Sequence, residues 1–242
     1  MLYIGDVPLD GAPRIALAVR DGVDRAQIDV QMGEGVDLVE LRIDQFSSRD
    51  PAYVLNEVGR YSGVPVLATI RMAAEGGAWN GSEEERLALY RAVLPLVQAV
   101  DVELAAESTV VALAPEAKAA GKPLIGSFHD FHATPSTETL AALFERGKQL
   151  GVDVVKVAAF CNCSEDLYRL ARFTLDHTDD PVIVIGMGEH GAPSRILFPG
   201  LASRLTYTFL GEPTAPGQLN CAATIQYLSG IFPGFRRNRE KT

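Results

Sequence analysis

Lysine is scarce in this chain: there are five in 242 residues, against seventeen arginines. A set that small can be placed residue by residue. Lys118, Lys122, Lys148 and Lys241 fall on amphipathic stretches, beside a turn or in the basic tail, where a lysine is ordinary. Cysteine is rarer still, three in all, with Cys161 and Cys163 one residue apart. An odd count in that spacing builds no disulfide framework and fits a reducing compartment, so a cytoplasmic location is expected. No apolar run approaches the roughly 18 residues of a membrane span. The opening MLYIGDVPLDGAP has no basic region followed by an apolar one, and no signal peptide is expected. Positive charge is also short: the net charge is −9 and the pI about 5.0. Nucleic acid and anionic membrane are therefore disfavoured as partners, and any anionic ligand depends on a local cluster of arginine.

What the chain does have is apolar residues, 47% of it, in short runs that recur every 20 to 30 residues. They cover 14–20, 36–43, 64–71, 99–104, 123–128, 152–158, 181–186 and 204–209. Most are rich in β-branched residues and apolar on both faces, as strands of a parallel sheet are when helices cover one side and a core fills the other. Between them lie helix signals. Ser82 to Glu85 reads as a capping box, with Pro95 shortening the helix that follows. Ser136 reads as a cap, with Gly151 just past the end of its helix, and Ser164 as another cap. Residues 215–218 read as a turn opening a last helix. Eight strands alternating with helices, in a chain of this length, predict a single (β/α)8 barrel over 1–242. Residues 1–13 are expected as an N-terminal extension and 233–242 as a frayed tail. An open doubly wound sheet is the competitor, but its Gly-rich phosphate turn is absent.

Barrel chemistry sits where strands end and βα loops begin, and here several strand ends are ionisable. Alternation puts Glu40, Arg42 and Asp44 on one side of the second strand. Arg71 ends the third, followed by Glu75, Gly76 and Gly77. The fifth runs into His129, and Lys156 lies inside the apolar sixth. Unpaired burial of such groups costs several kcal/mol. Burial disfavours the ammonium form of Lys156 and leaves an amine able to attack a ketone; its bland reading is a buried salt bridge, for instance to Glu103 or Glu75. His129 suits general acid–base work, with Glu75 placed to orient it. Arg42, Arg71 and Arg195, if they converge, form a clamp for carboxylate and hydroxyl groups. Gln218 faces the same mouth on a weaker spacing argument.

The segments ELRID (40–44), TIRMAAEGG (69–77), SFHDF (127–131), VKVA (155–158), SRI (194–196) and TAPGQ (214–218) together resemble type I 3-dehydroquinate dehydratase, over roughly residues 14 to 230. The resemblance implies a (β/α)8-barrel hydro-lyase, without metal or organic cofactor, that converts 3-dehydroquinate to 3-dehydroshikimate and water through a lysine Schiff base. This is the third step of the shikimate pathway to chorismate and the aromatic amino acids. It further implies that Lys156 forms the imine, His129 moves the protons and Glu75 partners His129. Glu40, Arg42 and Arg71 match positions that hold ring hydroxyls, Arg195 and Gln218 those at the carboxylate end, and Thr214 stands where the family often has serine. A loop at 211–218 that closes over the ligand and a homodimer are implied as well. The stretch 188–200, rich in glycine and proline, reads as a loop.

Two other readings compete. His129 and His132 with Cys161 and Cys163 offer imidazole and thiolate to a zinc ion, which would leave Lys156 without a task. A non-catalytic binding barrel would have no reason to keep an amine and a base together.

Overall fold

The structure, a computed structural model, describes residues 1–9, 12–213 and 215–235. In chain order its elements are β1 (Tyr3–Ile4), β2 (Val7–Pro8), β3 (Ile15–Val19), α1 (Arg25–Glu34), β4 (Leu38–Arg42), α2 (Pro51–Gly59), β5 (Val66–Thr69), α3 (Glu83–Val93), β6 (Ala99–Glu103) and α4 (Glu107–Ala119). There follow β7 (Leu124–Asp130), α5 (Thr137–Leu150), β8 (Val154–Phe160), α6 (Ser164–Asp176), β9 (Val182–Met187), α7 (Gly188–Gly191), α8 (Ser194–Leu201), β10 (Thr206–Phe209) and α9 (Cys221–Ile231). Strands β3 to β10 form one parallel sheet in the order β10-β3-β4-β5-β6-β7-β8-β9, a nearly closed (β/α)8 barrel. All eight strands expected from the apolar runs are present, each within a few residues of its expected bounds.

Strand alternation divides the apolar residues into two cores. Outward side chains such as Leu17, Val39, Val66, Val100, Val155 and Val184 pack against the helices. Inward ones, among them Leu38, Leu67, Ala99, Ile125, Val154 and Ile183, fill the N-terminal half of the barrel. The β1–β2 hairpin lies over that end, with Ile4 and Leu9 almost fully buried in the same inner core. Burying two such side chains stabilises the closure by about 1.5–3 kcal/mol each. The expected N-terminal extension is thus a plug for the barrel floor. Of the expected tail, Phe235 is buried in the outer core, and 236–242 lie outside the described residues. The seam between β9 and β10 is joined by Arg204 N–H to the Val182 carbonyl and by Ser203, whose hydroxyl accepts from Val184 N–H at 2.9 Å.

The helix ends follow local chemistry. Ser82 and Glu85 form the reciprocal capping box, and α3 gives way to a 3₁₀ turn at Leu94–Leu96, where Pro95 cannot continue the α-helical bonding. Ser136 caps α5, and Gly151 ends it in the left-handed conformation. Two expectations are corrected. Ser164 is the first helical residue of α6 rather than its cap; the Asp166 carboxylate accepts Asn162 N–H instead. The stretch 188–200 is largely helical, covered by α7 and α8, with Pro199 inside α8. The last helix starts beyond the 215–218 turn and is capped by Asn220.

Candidate active site

At the C-terminal ends of the strands the inward positions turn polar: Glu40 and Arg42 on β4, Thr69 on β5, Asp101 and Glu103 on β6, Ser127 and His129 on β7, and Lys156 on β8. Lys156 is 4% exposed. Its Nζ donates to Asp101 Oδ2 at 2.9 Å, lies 3.8 Å from Glu40 Oε1 and sits over the Tyr207 ring, 4.3 Å from the centroid. The amine therefore is paired, and its partners are Asp101 and Glu40, not Glu103 or Glu75. A cavity opens beside it all the same, lined also by Glu40, Arg42, Arg71, Glu75, His129, Arg195, Tyr207 and Gln218.

Asp101 is the hub beneath this cavity. Its second oxygen accepts from Arg71 Nη2 and from Ser127 Oγ, both at 2.6 Å. Burial alone would push its carboxyl up; the Arg71 guanidinium and the Lys156 amine outweigh that and hold it well below the usual carboxylate range. Burial likewise opposes the charge on Arg71, yet Asp101 and Glu103 raise it well above the ordinary arginine value. Glu103 then passes the charge outward. It accepts Met72 N–H at 2.8 Å and Arg86 Nη1 at 2.5 Å, and Arg86, fully buried, bonds the Ile70 carbonyl and Glu83. Each buried ion thus has an opposite ion and hydrogen bonds, the condition under which such burial is tolerated.

His129 Nδ1 lies 3.0 Å from Glu75 Oε2, which also accepts the His129 backbone N–H at 2.8 Å. With a carboxylate on Nδ1, that nitrogen carries the proton and Nε2 is left for the cavity. Burial, then the nearby Arg71 and Lys156 cations, push the imidazole well below its ordinary value, so it is neutral near pH 7. Burial, with Glu103 and Asp101 adding, raises Glu75 to about 7. The two glycines after Glu75 have separate reasons. Gly76 turns the chain at φ 77°, and a Cβ there would lie 2.3 Å from the Phe131 ring. A Cβ at Gly77 would lie 2.0 Å from the Arg71 carbonyl oxygen. The sharp turn returns Glu75 over His129.

Around the rim, Arg42 is clamped by Asp44 through two bonds of 3.0 and 2.8 Å, and Thr69 holds Glu40 at 2.8 Å. Arg195, at the start of α8, is 3% exposed. Its Nη2 reaches only the Pro216 carbonyl at 3.1 Å, and among the described residues its buried Nε has no partner and no carboxylate forms an ion pair with it. Burial accordingly lowers it to about 10. All the expected site residues within the described chain thus share one cavity; Thr214 lies outside the described residues. The zinc grouping does not assemble: His129 is engaged with Glu75, and no cluster of three or more His, Cys, Asp or Glu that could hold a metal occurs among the described residues. Sequence reasoning missed Asp101, Ser127 and Tyr207. The first had a signal: Asp101 and Glu103, two apart in AVDVE, point the same way inside an otherwise apolar strand.

A nearly closed parallel barrel holding an amine and an imidazole in one buried cavity defines a barrel enzyme of the Schiff-base class. The chain belongs to the type I 3-dehydroquinase family, whose model matches residues 18–232. It is 38% identical to a 3-dehydroquinate dehydratase of Thermodesulfovibrio yellowstonii over 213 residues, covering 88% of this chain and 92% of that one. It superposes on the crystal structure of the Geobacillus kaustophilus 3-dehydroquinate dehydratase with TM-score 0.81 at 27% identity, covering 92% and 91% of the two chains. The type I enzyme of Clostridium difficile, solved with covalently modified comenic acid, gives 0.83 at 26% identity and 96% of both chains.

Proposed function

We propose that, in the dehydration of 3-dehydroquinate to 3-dehydroshikimate, the shikimate-pathway reaction of this chain, Lys156 is the amine that forms the imine and His129 the group that moves the protons. The observation that carries the assignment is the placement of Lys156 Nζ and a Glu75-held imidazole on one cavity, with Asp101 beneath the amine. Lys156 adds to the C3 ketone and water leaves, giving an iminium. That iminium draws electrons from C2, and His129 Nε2 removes the C2 proton. The enamine expels the C1 hydroxyl, which takes the proton back from His129 and departs as water. A second water hydrolyses the imine and frees the enone. Glu75 keeps the proton of His129 on Nδ1 throughout. Glu40, Arg42 and Arg71 hold ring hydroxyls, and the Thr214 hydroxyl is a further substrate-binding group. Arg195 and Gln218 take the carboxylate, a role supported by a buried guanidinium with no carboxylate of its own.

The chain works as one unit, in the cytoplasm and as a homodimer. The free thiols of Cys161 and Cys163 support that compartment, and no helix among the described residues is long and apolar enough to cross a membrane. Leu197 on α8 and Tyr227 and Ile231 on α9, about half exposed on packed helices, offer an apolar surface to a second copy. Sedimentation equilibrium at micromolar concentration decides between one copy and two.

Borohydride reduction in the presence of 3-dehydroquinate tests the chemistry. It should inactivate the protein and add ligand mass at Lys156. Lys156→Ala should abolish turnover, and His129→Ala should lower it by about 10²-fold or more while still forming the imine. Unmodified protein after trapping would overturn the assignment.

A further inference from the structure

Tyr207 carries a polar group that the chemistry above leaves unused. It lies on β10, two strands around the barrel from Lys156 on β8, and is 6% exposed. Its hydroxyl is buried and has no hydrogen-bond partner among the described residues, although the Glu40 and Glu75 carboxylates line the same cavity. Buried hydroxyls are nearly always satisfied, so one left bare beside a reactive amine calls for a ligand to complete it. A phenylalanine would fill the same apolar space without that penalty. Burial, with the Glu40 and Asp101 carboxylates adding, raises the phenol well above its ordinary value, so it stays protonated and acts as a donor.

The ring fixes where that donor points. Nζ sits 4.3 Å from the ring centroid, within the range of a cation–π contact. For a nitrogen centred over the ring, the phenol oxygen is about 5 Å away, too far to bond the amine itself. When the amine adds to a ketone, the former ketone oxygen becomes a hydroxyl one carbon removed from nitrogen, about 2.4 Å from it. An oxygen directed toward Tyr207 then comes to about 2.7 Å of the phenol, the length of an O–H···O bond.

We infer that Tyr207 is a further catalytic residue for the imine steps: its hydroxyl donates to the oxygen of the carbinolamine as that oxygen leaves as water, and its ring face carries the positive nitrogen that results. The step balances without a new reactant. The C–O bond of the carbinolamine breaks, the nitrogen lone pair forms the C=N bond, and the departing oxygen takes the phenol proton and leaves as water, while the phenol regains from solvent the proton that the amine released on adding to the ketone. Hydrolysis of the imine runs the same path in reverse. This inference rests on Lys156 being the imine-forming amine.

The His129→Ala background separates the imine steps from dehydration, because there the C2 proton is removed slowly and imine formation is read alone. Borohydride quenching at successive times after mixing with 3-dehydroquinate, with mass analysis of Lys156, gives the rate. Adding Tyr207→Phe should slow adduct formation roughly five- to tenfold, the share of one neutral hydrogen bond, while the final adduct yield stays the same. Tyr207→Leu, which also removes the ring, should lower the yield as well. With His129 intact, exchange of the C2 proton from preformed imine should be unaltered in Tyr207→Phe, and its thermal midpoint should not fall, since a bare buried hydroxyl has been removed. Adduct forming as fast in Tyr207→Phe as in its parent would overturn the inference, as would equal slowing of proton exchange, which marks a packing defect. Absence of adduct at Lys156 in the parent and the wild type would overturn the Lys156 assignment and this inference with it.

Discussion

On the side of the cavity built by β4 to β8, each guanidinium meets a carboxylate: Arg42 is on Asp44, Arg71 on Asp101 and Glu103, and Arg86 behind them on Glu103 and Glu83. On the side built by β9, α8 and β10, among the described residues Arg195 reaches only a backbone carbonyl and the Tyr207 hydroxyl reaches nothing polar. On the first side each guanidinium has its counter-ion without a ligand, so its geometry is held in advance, which is what positioning and proton transfer require. The second side is left with unmet donors and an uncompensated positive charge. Those deficits are repaired when an anionic, oxygen-rich molecule enters, and the binding energy is thereby concentrated on that side. One side is arranged for chemistry and the other for capture.

The comparison can be broken most sharply at Asp101. Asp101→Asn removes the charge shared by Lys156 and Arg71 and leaves two buried cations with one fewer counter-ion. Urea unfolding should show a loss of about 3–5 kcal/mol, and turnover should fall with it. A variant as stable as the parent would mean that the first side is not held by its ions. Arg195→Met asks the converse question of the second side. Removing an uncompensated charge should leave the urea midpoint unchanged or higher. KM for 3-dehydroquinate should rise by roughly 10- to 100-fold, as for loss of a hydrogen bond to a charged group. Unchanged KM would place the ligand carboxylate elsewhere.

The smallest effect is expected at Glu75. Its raised value, about 7, means that it takes up a proton as the pH falls through neutrality and then no longer accepts the Nδ1 proton of His129 as a carboxylate. The kcat/KM profile should therefore fall on the acid side of about pH 7. In Glu75→Gln that limb should move to lower pH, because the imidazole itself is held well below 6.5, and the plateau should drop about tenfold. Because the pair is coupled, the limb belongs to both groups. A limb that does not move would assign it to another group.

Much of this arrangement is legible in the residue order. The eight strands are apolar on both faces because the helices and the inner core each cover one side, and that doubled burial writes a plain signal. Lys156 stands out for the same reason, as the one lysine inside such a run. The reading is weaker where the signal is short or ambiguous. The β1 and β2 strands have two residues each, below any periodicity, so their part in closing the floor cannot be seen. The helices α7 and α8 carry glycine and proline, which read as loop, yet they place Arg195. The difference between the two sides of the cavity is equally hidden, because sequence spacing shows that arginines converge but not which of them already has a partner.

The floor laid by the hairpin has one more consequence. With Ile4 and Leu9 packed into the floor of the barrel, the cavity beside Lys156 has its doorway at the end where the βα turns lie. Substrate, expelled water and enone must all share it, so traffic is one lane wide. Whatever segment folds over that doorway sets when each turnover can begin, and also when it can end.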